Sequence, residues 1–377
     1  MTLMNQSVIN ANEFDVKVDS AILLEAETGQ VIFEKNANKK VPPASITKIM
    51  TLLLALEAVD EGRLSLEDDI VISKKAESMG GSQIFLPSGI TLKLKELLKS
   101  VAIASANDAS VAVAEAVGGS YSNFISMMNK KAKELGMDNT NFANSTGLPT
   151  ANHYSTARDI SIMARELIKH EKVLEWTSTW LDYVDLPKRD AMLVNTNSLI
   201  NKYAGLDGLK TGHTQEAGFC LTGTAQNNNM RLISVVLDAE TEIEREEITS
   251  KLLNYGFNSF KKIISVKKGE KANNVVVPSG KKTVTTGITE KTFKSIVQIG
   301  QEDKVEVQVN LKDKLDAPIK KGDVIGKKII LNNNDKVGEV NILATEDIEK
   351  ANIFVRLWRS FVNWIDSFDL LNFFNRE

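Results

Sequence analysis

Two side chains three residues apart, Ser45 and Lys48, form the first arrangement in this sequence that could do chemistry. They open an apolar run, Ile49 to Leu56, whose composition and length predict a buried helix. Ser45 then falls in the first turn, where unpaired backbone N–H groups favour developing negative charge, and Lys48 shares its face. A serine hydroxyl attacks well only when a base takes its proton. A lysine amine stripped of its own proton by burial can be that base. A capped helix with a solvated lysine has the same spacing, so the pair needs company. Two further groups supply it, Ser105-Ala106-Asn107 and Lys210-Thr211-Gly212. A second hydroxyl can relay a proton, an amide offers both donor and acceptor, and a second ammonium lowers the pKa of the first by repulsion.

The elements that must carry these groups are legible in outline. Ala21 to Glu25 and Val31 to Glu34 flank Thr28-Gly29 and read as a hairpin. Pro42-Pro43 closes that region and leads into the Ser45 helix. Helical spacing runs through Leu92 to Ala104, resumes at Ala109 to Val117, and recurs in Phe124 to Leu135 and Ala157 to Ile168. Phe219 to Thr224 and Met230 to Leu237 alternate as an antiparallel pair around Asn227-Asn228-Asn229, with Lys210-Thr211-Gly212 at the leading edge. Glu242 to Phe257 is a closing helix. Strands at both ends with helices between predict an α+β domain over residues 1–257.

From about Lys261 the texture changes to short β runs: Asn274 to Val277, Ser295 to Ile299, Val305 to Val309, Lys328 to Leu331 and Val337 to Leu343. Residues 258–350 therefore predict a small all-β domain that holds no catalytic constellation and acts as a spacer or packing module. The last segment, residues 351–377, places Phe354, Phe361 and Phe368, then Leu357, Trp364 and Leu371, then Trp358 and Ile365, in rows seven apart. Arg356, Arg359, Asn363, Asp366 and Asp369 fall elsewhere on the helix. Such a stripe suits a helix lying in a membrane interface, although packing on its own domain or on a second subunit is the alternative.

A length of 377 residues allows two or three domains with ample core. The composition, 42% hydrophobic and 25% charged, is ordinary for a globular protein, and a net charge of −3 gives no reason to expect nucleic acid. The single cysteine, Cys220, excludes an internal disulfide and sits in a strand pattern as a core residue. Three histidines without ligand spacing imply no metal, and no cofactor is expected. No apolar stretch reaches transmembrane length. Residues 1–12 lack the apolar core of a signal peptide, so a protein acting outside the cytoplasm would be present here in trimmed form.

The ordered triple is the motif set of penicillin-binding proteins and class A β-lactamases. The chain resembles the D-alanyl-D-alanine carboxypeptidases, the low-molecular-mass penicillin-binding proteins of type 5. Pro42 to Thr51, Ala104 to Ala109, Tyr154 to Asp159, Gly208 to Thr214 and Ala217-Gly218 all fit family segments, and the β domain and tail fit its layout. The resemblance implies a serine β-lactamase/DD-peptidase-like catalytic fold. It implies that Ser45 attacks the penultimate D-alanine carbonyl of a peptidoglycan stem peptide and forms an acyl-enzyme, with Lys48 as base and Ser105 as proton relay. Asn107, Lys210 and Thr211 would bind substrate, and the backbone N–H groups of Ser45 and of His213, which follows Gly212, would form the oxyanion hole. Arg245 matches a family arginine and is the candidate for holding the free carboxylate; a surface arginine paired with Glu242, Glu244, Glu246 and Glu247 is the alternative.

Ala106 replaces a common glycine, and Thr196 stands where some members have an arginine, which shifts the carboxylate role toward Arg245. β-Lactams would acylate Ser45 and leave slowly, because Asn144 to Ile160 lacks the glutamate that a class A β-lactamase uses for deacylation. A β-lactamase, or a wall-binding or β-lactam-sensing protein without turnover, are the rival readings. The expected location is the outer face of the cytoplasmic membrane, bound through residues 351–377.

Overall fold

A computed structural model describes residues 14–367. The chain divides into two compact units, with the change between Phe260 and Lys261.

In the first unit, β1 (Ser20–Glu25) and β2 (Val31–Lys35) form the expected hairpin. A 3-10 turn, Ala44–Thr47, feeds α1 (Lys48–Asp60). Ser45 thus sits one turn ahead of the α-helix and Lys48 is its first residue. The stretch beyond α1 holds the short pair β3 (Asp69–Val71) and β4 (Thr91–Lys93) around α2 (Lys74–Glu77). Helices α3 (Leu94–Ile103), α4 (Asn107–Gly118), α5 (Tyr121–Leu135), α6 (Ala157–Leu167) and α7 (Lys172–Thr177) follow. A hairpin absent from the sequence reading, β5 (Leu181–Leu186) with β6 (Arg189–Val194), comes next. Then come β7 (Leu206–Thr214), β8 (Gly218–Asn227), β9 (Met230–Ala239) and α8 (Glu242–Ser259).

The main sheet is antiparallel in the order β2-β1-β9-β8-β7, so the first hairpin zips onto the last strand laid down. This leaves β7, the strand of Lys210, Thr211 and Gly212, at the edge among the described residues. Residues Lys48 to Leu56 of α1 are all buried, so the helix is covered on every side and needs no polar face. Each fully buried Leu or Ile there contributes roughly 1.5–3 kcal/mol, and the same packing keeps water from Lys48. Ser120, Thr156 and Thr241 cap α5, α6 and α8, each accepting the N–H group three residues on.

The second unit is all-β before its last helix. Strands β10 (Phe260–Val266), β11 (Lys271–Val276), β12 (Val284–Thr289), β13 (Phe293–Gln298), β14 (Val305–Leu311), β15 (Val324–Asn332) and β16 (Asp335–Ala344) follow in turn. Five of them make a sheet in the order β11-β12-β16-β15-β14, while β10 pairs with β13. Val275, Val277, Ile319, Ile325, Ile342 and Ile348 form part of its small core. Helix α9 (Ile353–Ser367) ends the described chain. Its Ile353, Phe354, Leu357, Trp358, Phe361 and Trp364 are exposed, while Arg359 donates to the Gly280 carbonyl at 2.7 Å. Phe368, Asp369 and Leu371 of the apolar-stripe reading, and the signal-peptide reading of residues 1–12, lie outside the described residues.

Candidate active site

The three sequence motifs come from three elements, and packing brings them together. Lys48, at the start of α1, is fully buried. Its Nζ lies 3.0 Å from Ser45 Oγ, 2.7 Å from Asn107 Oδ1 and 2.6 Å from the Thr146 carbonyl oxygen. Asn107 Oδ1 and a carbonyl can only accept. A neutral amine has two N–H bonds and one lone pair, so those two acceptors take both hydrogens and leave the lone pair for the Ser45 hydroxyl. Burial holds the amine well below the ordinary lysine range, the Lys210 cation pushes it further down, and Asp108 opposes both.

Asn107 is fixed from its other side. Its N–H donates to the Ser82 carbonyl and its Nδ2 to the Gly80 carbonyl, each at 2.7 Å. Asp108 accepts the N–H groups of Ile84 and Leu86 at 3.1 and 3.0 Å, which stitches the Gly80–Leu86 loop to the start of α4. Ser105 takes a left-handed φ of +59° at the α3–α4 junction and is buried.

On β7, Lys210 is buried and donates to its neighbour's carbonyl, Thr211 O, at 3.1 Å. Burial, with Arg245 adding repulsion, lowers its pKa to about 7. Thr211 Oγ1 donates to Thr196 Oγ1 at 2.6 Å. A Cβ on Gly212 would lie 3.1 Å from both Ala44 Cβ and Ser45 N, tighter than ordinary contact, so a side chain there would press on the nucleophile turn. That close approach sets Ser45 N against β7. The His213 ring is exposed and packs on Phe219 at 4.0 Å between centroids. Arg245, on α8, is only 3% exposed; Nη2 pairs with Glu242 at 2.8 Å, and Nε has no partner among the described residues. It is therefore neither the exposed helix-surface arginine of the alternative reading nor free of its own helix's glutamates. Cys220 is buried in β8, and burial pushes its thiol up to about 11.

The groups missed from sequence are backbone carbonyls (Thr146, Gly80, Ser82) and their supports, Asp108 and the Thr47–His153 pair. Carbonyls carry no residue-type signal. The loop glycines, Gly80-Gly81 and Gly147, were the visible trace of chain passing close to the site.

The D-alanyl-D-alanine carboxypeptidase profile matches residues 6–241, and the C-terminal domain profile of penicillin-binding protein 5 matches residues 260–350. This chain belongs to the D-alanyl-D-alanine carboxypeptidase family. It is 42% identical over 355 residues to D-alanyl-D-alanine carboxypeptidase DacF of Bacillus subtilis, covering 94% of this chain and 91% of that protein. It is 34% identical over 352 residues to D-alanyl-D-alanine carboxypeptidase DacC of Escherichia coli, covering 89% and 86%. Its fold matches the crystal structure of penicillin-binding protein 5 from Haemophilus influenzae with a TM-score of 0.82 at 29% identity, covering 90% of this chain and all of the other. Penicillin-Binding Protein D2 of Listeria monocytogenes, solved in an ampicillin-bound form, matches 65% of this chain and 99% of its own at a TM-score of 0.59 and 36% identity. As a member of the carboxypeptidase family, the chain has the α+β catalytic fold and the trailing β domain that its motifs imply.

Proposed function

We propose that this protein is a serine-type D-Ala-D-Ala carboxypeptidase that removes the terminal D-alanine from peptidoglycan stem peptides and is acylated by β-lactams. The observation that carries the reading is the Lys48 amine, fully buried 3.0 Å from Ser45 Oγ and within hydrogen-bond distance of two acceptors, Asn107 Oδ1 and the Thr146 carbonyl; in its neutral form this leaves the lone pair for the hydroxyl.

Ser45 Oγ attacks the carbonyl carbon of the penultimate D-alanine as its proton passes to Lys48. The carbonyl oxygen becomes an oxyanion, met by the Ser45 and His213 N–H groups. The amine of the leaving D-alanine takes a proton, routed through the Ser105 hydroxyl, as the C–N bond breaks. Water then cleaves the ester and returns the proton. Asn107 orients Lys48 and the peptide. Lys210, Thr211 and Arg245 form the anion end of the site for the substrate carboxylate, and Thr196, bonded to Thr211, takes up space where an arginine stands in some relatives. The edge of β7 offers backbone groups to an extended peptide. We assign these roles within a catalytic domain of residues 1–257, followed by the β domain of residues 258–350. The exposed apolar stripe of α9 supports membrane-surface binding by residues 351–377 on the outer face of the cytoplasmic membrane. Among the described residues no helix is long and apolar enough to cross a membrane.

D-Alanine release from a peptide ending in D-Ala-D-Ala tests the assignment. The parent protein releases D-alanine and takes up labelled penicillin at Ser45, releasing it slowly; Ser45→Ala does neither. Release by Ser45→Ala at the parent rate overturns the mechanism, and fast penicillin hydrolysis by the parent makes the protein a β-lactamase instead.

A further inference from the structure

The peptide unit that joins Ala44 to Ser45 is held by a buried relay that the acyl-transfer scheme does not use. His153 is buried between the loop after α5 and the nucleophile turn. The Ala143 N–H donates to its Nδ1 at 2.9 Å, so Nδ1 is the acceptor and the ring proton sits on Nε2. Nε2 lies 2.7 Å from Thr47 Oγ1 and donates to it. Thr47 Oγ1 in turn donates to the Ala44 carbonyl at 2.8 Å. Each donor and acceptor is spoken for, and the direction of every bond follows from the first.

The end of this chain is strained backbone. Ala44 has φ +46°, a left-handed conformation that residues with a Cβ adopt only when their surroundings impose it. Its carbonyl is wedged on a second side by Gly147, where a Cβ would collide with Ala44 O. The carbonyl of Ala44 and the N–H of Ser45 belong to one planar trans unit and point in opposite directions. Fixing the carbonyl inward, toward Thr47, therefore turns the N–H outward, to the side where Gly212 of β7 approaches Ser45 N.

We propose that His153 is a positioning residue for acyl transfer: through Thr47 it fixes the Ala44–Ser45 peptide unit and aims the Ser45 N–H at the developing oxyanion. This rests on the reading of Ser45 as the nucleophile. It adds a source of oxyanion-hole geometry that lies behind the nucleophile turn and touches no substrate.

The test reads the acylation rate constant for a labelled penicillin beside the noncovalent dissociation constant that precedes acylation. It adds the affinity for a boronic acid mimicking a terminal D-alanyl unit, whose tetrahedral adduct sets an oxygen against the Ser45 N–H. Thr47→Val has the shape of threonine without the hydroxyl. It lowers the acylation rate and the boronate affinity together by about tenfold or more, a part of what losing one oxyanion donor costs, and leaves the noncovalent constant unchanged. Thr47→Ser, which keeps the hydroxyl, stays close to the parent. His153→Gln, whose amide can donate to Thr47, retains more activity than His153→Leu. The double variant of Thr47→Val and His153→Leu loses no more than Thr47→Val alone, because the two act as one unit. Parental acylation by Thr47→Val, losses that multiply in the double variant, or an effect confined to the noncovalent constant overturns the proposal. If His153→Leu does not fold, the contrast between Thr47→Val and Thr47→Ser decides it. Acylation of Ser45→Ala removes the underlying mechanism; an inert Ser45→Ala beside a fully active Thr47→Val removes the relay alone.

Discussion

Three basic side chains, Arg245, Lys210 and Lys48, stand in sequence at the residue scale, and each adds to the burial that lowers the pKa of the next. Burial, with repulsion from Arg245, brings Lys210 to about 7; burial, with repulsion from Lys210, brings Lys48 well below its usual range. The scheme needs Lys48 neutral and Lys210 charged, so the free enzyme has a window. As pH rises, activity first gains as Lys48 loses its proton, then falls above about 7 as Lys210 loses its own. The pH profile of kcat/KM is therefore bell-shaped. Lys210→Arg keeps a permanent cation and moves the alkaline limb out of range; an alkaline limb unchanged in Lys210→Arg assigns it to another group. Arg245→Ala removes repulsion, so Lys210 holds its proton to higher pH and the alkaline limb shifts upward. The same variant raises KM for peptides with a free terminal carboxylate roughly tenfold, in keeping with about 1.5–3 kcal/mol for a charged hydrogen bond. An equal loss on the amidated peptide refutes the carboxylate role. The short Nη2 contact to Glu242 makes the comparison informative, since a guanidinium serving only its own helix would leave KM untouched.

Elements decide whether those residues meet, and they were unequally legible. The α1 run, the first hairpin and the β8–β9 pair declared themselves through unbroken or alternating apolar residues, and the three motifs, at the start of α1, at the α3–α4 junction and on β7, through residue type and spacing. The β5–β6 hairpin did not. Leu181, Tyr183, Met192 and Val194 on its outward face are exposed apolar residues, so the polar alternation that marks a half-buried strand is missing. The Gly80–Leu86 loop carries no residue-type signal of its role, because its part in the site lies in carbonyls given to Asn107 and N–H groups given to Asp108. Asp108 thus acts on the element as a clamp and on Lys48 as a charge that raises its pKa. Asp108→Asn keeps one acceptor oxygen and loses the charge. It costs about 1–3 kcal/mol of stability by weakening the bonds to Ile84 and Leu86, seen as a lower thermal midpoint. It also moves the acid limb of the kcat/KM profile to lower pH, because Lys48 then gives up its proton more readily. A midpoint unchanged in Asp108→Asn rules out the clamp, and an unmoved acid limb rules out the charge effect.

Across the whole molecule, charge and apolar exposure are distributed unevenly. Residues 258–350 hold 18 lysines against 13 acidic residues, while residues 351–377 hold three arginines against three acids. The negative excess of the chain therefore lies in residues 1–257, the part that carries the candidate active site. The end segment has no net charge to attract a surface, but Phe354, Leu357, Trp358, Phe361 and Trp364 are all at least half exposed. Taking the exposed half or more of each from water is worth roughly 1–2 kcal/mol, a gross gain that salt does not screen. The proposed surface binding would accordingly rest on the apolar helix, with the lysines of the β unit adding attraction only to anionic lipid. A chain lacking residues 351–377 turns over a soluble D-Ala-D-Ala peptide with the parental kcat/KM and fails to sediment with vesicles. The intact chain sediments with neutral vesicles and stays bound at high salt; on anionic vesicles salt removes only the additional binding. If the shortened chain still sediments, or if high salt releases the intact chain from neutral vesicles, the attachment is electrostatic and α9 must be packed against protein rather than lipid.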